Sequence, residues 1–149
     1  MLLNQTQIAL NELIVDLREA ADHFTDAADQ LDDARLQALF MELRDEHNAA
    51  ADIISETVRR TGALPRAQYA DREEVHQIIT HVKAAMSDDS REVFLEDRID
   101  HEQQIKHTIA EALALKLPAD TAQYLKSLLL QEDAILSRLD EALEGSTVT

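Results

Sequence analysis

The feature that most constrains this chain is how long its apolar residues hold a helical period without interruption. Leu3, Leu10, Leu17, Phe24 and Leu31 recur every seven residues, with Leu13, Ile14, Ala20, Ala21, Ala27 and Ala28 beside them. This spacing predicts one long amphipathic helix over 3–31. Asn4 and Gln7, three apart, read as a capping box at its start. Asp32 and Asp33 supply an N-cap for a second helix, about 35–60, so the turn is short and the second helix runs antiparallel to the first. Its stripe is Leu36, Leu39, Phe40, Leu43, Ala50, Ile53, Ile54 and Thr57, and Gly62 is placed to end it.

The segment TGALPRAQYAD then breaks the pattern. Asp71 and Glu74 form a second capping box before a short helix to about Met86, and SDDS at 87–90 closes the excursion. Two further long helices come next, about 91–116 and 118–143, separated by little more than Leu117 and Pro118, with Gly145 as the final stop. The order is long, long, excursion, long, long. A helix of about 26 residues spans about 39 Å, so a connection of about thirty residues can cross a bundle end to end. The expectation is an all-α, ferritin-like four-helix bundle, a single domain over 1–149, whose one long crossover, 61–90, carries a short extra helix.

Composition narrows the partners. Fourteen Lys and Arg stand against thirty Asp and Glu, a net charge of −16. Such an acidic chain repels phosphate backbones and anionic lipid, which argues against nucleic acid and membrane partners and favours solubility or metal cations. With no cysteine, zinc–thiolate sites, disulfides and thiol nucleophiles are excluded. The first twenty residues lack a basic segment and a small-residue cleavage site, and no apolar run approaches the ~18 residues of a membrane helix, so the expected location is cytoplasmic. Two glycines cannot build a phosphate-binding loop, and no nucleophile elbow is present.

The informative residues are polar ones at core positions. Glu46 and His47 stand one heptad after Leu39 and Phe40 and one before Ile53 and Ile54. Glu102 lies on the stripe through Leu95, Ile105, Ile109 and Ala112, with Arg98 one turn away, and Glu132 lies between Leu125 and Leu139. All fall near the middle of their helices. Aligned helices would therefore bring Glu46, His47, Glu102 and Glu132 to one level, a carboxylate and imidazole set suited to iron or manganese. The full ligand set of a di-iron oxidase is incomplete, since Ala49 and Ile105 stand three residues after Glu46 and Glu102 where His is required. The alternative is a polar network in which Arg98, His47 and His101 satisfy buried acids. Other histidines, His23, His76, His81 and His107, read as flanking or outward.

The runs LNELIVDLREAADHF, LQALFMELRDEHNAAADIISETVRRTGALP, HEQQIKHTIAEAL and LLLQEDAILSRL, spanning about 8–143, resemble the uncharacterised bacterial ferritin-like four-helix-bundle proteins, a domain of unknown function. Glu46 and Glu102 match its recurrent acidic positions, and Glu132 stands where a His is expected. In the first helix, Glu19 and Ala20 stand where that family carries Asp-Gly ahead of an aromatic, here Phe24. The resemblance implies the fold and no activity. The residues themselves admit two functions. A non-catalytic structural or interaction protein, stress-associated and homodimeric or meeting a protein partner, needs fewer assumptions. The other is an iron- or manganese-binding protein with its site at the bundle midplane.

Overall fold

The computed structural model describes residues 4–61 and 90–147, and among these every regular element is helical. There are four: α1 (Gln5–Asp29), α2 (Ala34–Arg60), α3 (Ser90–Leu113) and α4 (Ala119–Thr147). The expected stop at Gly62, the capping box of Asp71 and Glu74, and the short helix to Met86 lie outside the described residues.

Local chemistry sets most of the ends. The Asn4 side chain accepts from the Gln7 N–H at 2.8 Å while the Gln7 side chain accepts from the Asn4 N–H at 3.0 Å, completing the capping box. The helix ends at Asp29, two residues before the expected limit. There the N–H groups of Gln30 and Leu31 turn to the carbonyls of Ala27 and Ala28, tightening the last turn while Leu31 stays buried. Asp33 caps α2, accepting from the N–H groups of Arg35 and Leu36 at 3.0 Å each.

Helix α3 stops at Leu113, short of 116. The Leu115 N–H bonds back only three residues, to Ala112, as the chain approaches Leu117, whose place before proline disfavours the helical conformation. Pro118 offers its carbonyl to Ala122 at 2.9 Å and starts α4. Gly145 does not end α4, which continues to Thr147. Nothing lies within 4 Å of a Cβ built on Gly145, so no packing forces the chain to turn there.

The helices form a ring in which α1 packs on α2 and α3, while α4 packs on α3 and less closely on α2. Contacts give the directions. Arg91 at the start of α3 pairs with Asp33, beside the α1–α2 turn, at 3.3 Å. At the other end Gln5, Ile8 and Ala9 of α1 meet Glu111, Ala112 and Leu115. Glu42 of α2 faces Arg138 of α4, and Ile54 faces Leu125. Each neighbouring pair is thus antiparallel. The chain leaves α2 at one end of the bundle and enters α3 at the other, about 40 Å away for a helix of 27 residues.

Two apolar clusters fill the interior. One gathers Leu10, Leu13, Leu17, Ile54, Val58, Ile109 and Leu125, and the other Phe24, Leu36, Phe40, Leu43, Phe94, Leu95 and Leu139. Full burial of each large side chain stabilises by about 1.5–3 kcal/mol. Phe24 and Phe40 meet edge to face at 5.2 Å. The two clusters are divided by a polar layer: Leu43, His47 and Ala50 succeed one another on α2, Ile99, Glu102 and Ile105 on α3, and Leu128, Glu132 and Ile135 on α4.

Candidate metal centre

Three helices each send one chemically active side chain into that layer. His47, Glu102 and Glu132 are 1, 0 and 0 % exposed. The fourth helix contributes the small Ala20 and Ala21 near this level, leaving room for them. His47 Nε2 lies 2.5 Å from Glu102 Oε1 and 3.8 Å from Glu132 Oε1. One donor atom from each of the three residues can be chosen so that all lie within 4.8 Å of one another. They form the one such group of three among the described residues.

In this layer two buried acids share a single imidazole. Glu102 Oε2 and both oxygens of Glu132 are buried without a hydrogen-bond donor. Burial pushes the Glu132 carboxyl up to about 10, helped by the charge and hydrogen bonding of Glu102 and by the charges of Glu46 and Asp133. Protonation would turn one Glu132 oxygen from an acceptor without a partner into a donor facing Glu102. A cation would relieve the same crowding more directly, because it neutralises both acids at once.

Glu46 does not join the other three. It is half-buried at the α2–α4 seam, where Arg138 Nη1 approaches it at 3.4 Å while Nη2 holds Glu42 at 2.7 Å. Arg98 does not bridge the acids either. Its guanidinium is buried, lies 5.4 Å over the Phe24 ring and pairs through Nη2 with Asp97 Oδ2 at 3.2 Å. Phe24 stands against His47 as well, at 5.7 Å between rings, so it lies against both Arg98 and the layer. Contrary to the outward placement expected from periodicity, His23 is buried, as is Glu19 four residues before it. The period of α1 alone hides both, since α3 is what covers them. His107 is exposed and paired with Glu111 at 2.6 Å, as a flanking residue should be.

The chain belongs to a family described as a domain of unknown function (DUF2383), whose model matches residues 5–115. His47 and Glu102 lie inside that span and Glu132 beyond it. No curated protein and no solved structure matches the chain. No described helix is long and apolar enough to cross a membrane.

Proposed function

We propose that this protein is a ferritin-like metal-binding bundle holding one divalent cation, iron or manganese, through His47, Glu102 and Glu132. The observation that carries the reading is the set of three buried carboxylate oxygens without a donor, gathered with an imidazole at the centre of an otherwise apolar interior. Two carboxylates neutralise a divalent charge, and an oxygen-rich set with one imidazole suits Mn(II) or Fe(II). Bonds of about 2.0–2.2 Å place the donors of one ion roughly 3–4.4 Å apart, so His47 Nε2 and Glu102 Oε1, in contact at 2.5 Å, have to part to admit it. Three protein donors leave positions for water, and the incomplete set argues for one ion and against a two-metal oxidase. The long passage from α2 to α3 supports the ferritin-like topology.

The interaction reading has less to stand on. Ile8, Ile53 and Leu130, the large apolar side chains exposed among the described residues, are on three different helices.

The test is thermal unfolding of EDTA-treated protein with Mn(II), or with Fe(II) under anaerobic conditions. Metal at one hundred times Kd contributes about 2.7 kcal/mol, a rise in Tm of roughly 5–10 °C for a chain of this size. The rise should saturate, vanish in the Glu102→Gln/Glu132→Gln double variant and persist in Glu46→Gln. A flat response in the wild type would return the acids to the status of a polar core and favour a homodimer or other protein partner as the function to pursue.

A further inference from the structure

Helices α2 and α4 are the neighbours that pack least closely, and a cavity of about 390 Å³ opens between them where α2 stops and α4 starts. That lies within the usual range for small-molecule pockets, and about a dozen water-sized groups would fill it. Leu10 of α1, Ile54 of α2 and Leu125 of α4, each 2 % exposed or less, form an apolar floor. Ile53 lines the same cavity and is 46 % exposed, one of three large apolar side chains left so among the described residues.

Arg60 and Thr121 supply the polar edge of this surface. The chain carries thirty Asp and Glu, yet the Arg60 guanidinium makes no ion pair or hydrogen bond among the described residues, whereas Arg59 beside it pairs with Glu56. Thr121 is only 9 % exposed, and its hydroxyl bonds to no described group. The antiparallel register that sets Ile54 opposite Leu125 places Thr121, one turn earlier on α4, near the last turn of α2 and so near Arg60. Asp120, the acid among the lining residues, is engaged through Oδ1 by the Thr121 N–H at 2.9 Å. An apolar floor calls for hydrocarbon, and an unpaired guanidinium at its edge calls for a carboxylate, the acceptor it bonds most strongly. A net charge of −16 opposes polyanions and leaves a single negative charge as the one most easily admitted.

We propose that the groove between the end of α2 and the start of α4 binds a medium-chain aliphatic carboxylate, its head group held by Arg60 and Thr121 and its alkyl tail lying on Leu10, Ile54 and Leu125. The tail would cover Ile53. The proposal is independent of the metal reading, since Arg60 stands thirteen residues beyond His47 on α2, about 20 Å away, and neither Glu102 nor Glu132 lines this cavity.

The test is calorimetric titration of the whole EDTA-treated chain, at about 0.15 M NaCl, with octanoate, butanoate and octylamine in turn. Octanoate should saturate a single site. Each methylene buried strengthens binding about fourfold, so octanoate should bind more than tenfold tighter than butanoate. It should also bind at least fivefold tighter than octylamine, which carries the same tail and the opposite charge. Arg60→Gln, a change at an exposed position that the fold tolerates, should erase the preference over octylamine and keep the dependence on chain length. Ile53→Glu, also exposed, sets a carboxylate at the groove and should weaken octanoate at least fivefold. The Glu102→Gln/Glu132→Gln variant should bind as the wild type does. Butanoate or octylamine binding as tightly as octanoate, or a preference unchanged in Arg60→Gln, would overturn the proposal. So would a flat titration, after which a second copy of the chain becomes the occupant to look for.

Discussion

Glu132 is the residue whose environment departs furthest from water, and its protonation ties stability to pH. Its carboxyl is raised from 4.5 to about 10 in the folded chain. Above about pH 4.5 the unfolded chain therefore releases a proton that the native, metal-free protein keeps. Stability then falls as pH rises toward 10, with a slope of at most about 1.4 kcal/mol per unit. Urea unfolding of EDTA-treated protein between pH 5 and 9 should show this decline, and Glu132→Gln should flatten it and be the more stable protein at pH 8. An unchanged slope in the variant would mean that the layer relaxes or admits water. The sequence exposes Glu132, Glu102 and His47 because each interrupts an apolar stripe. It cannot separate Glu46 from His47, which are adjacent on the helix surface, and the geometry that turns Glu46 toward Arg138 belongs to α4. Glu19 and His23 are illegible for the related reason that their burial is created by a second helix.

At the scale of elements, boundaries written in local chemistry are the ones that sequence reveals. The capping box of Asn4 and Gln7 and the cap at Asp33 are three-residue statements and stand where the residues place them. Gly145 shows the limit, because glycine permits a left-handed stop without compelling one. Asp33 has two roles, since it caps α2 and also meets Arg91 of α3 at 3.3 Å. Asp33→Ala should cost about 1–2 kcal/mol in urea unfolding, most of it from the cap. Asp33→Asn keeps a capping oxygen and loses only a partly exposed ion pair, so its cost should be well below half of that. Equal losses in the two variants would instead assign the stabilisation to the ion pair.

For the whole molecule, a net charge of −16 makes self-repulsion part of the energetics. Raising NaCl from about 10 mM to about 0.5 M shortens the screening length from about 30 Å to a few ångströms, and the urea midpoint should rise. A fall would mean that surface pairs such as Lys106 with Asp133 and Arg138 with Glu42, each at 2.7 Å, outweigh the excess of like charge. The four-helix architecture is readable from apolar period and punctuation, and the common level of the polar layer from the midpoints of the helices. The pairing of α1 with α3 is not, because it depends on which helices become neighbours. That ring of antiparallel neighbours has an electrical consequence. Around each end of the bundle two helix N-termini alternate with two C-termini, so the macrodipoles cancel in pairs, and their local influence fades within a turn of each end. The layer of His47, Glu102 and Glu132 lies far from every terminus, in a zone where the backbone contributes almost no potential. No helix end is available to steady the two acids there, and their charge has to be answered within the layer by a proton or a cation.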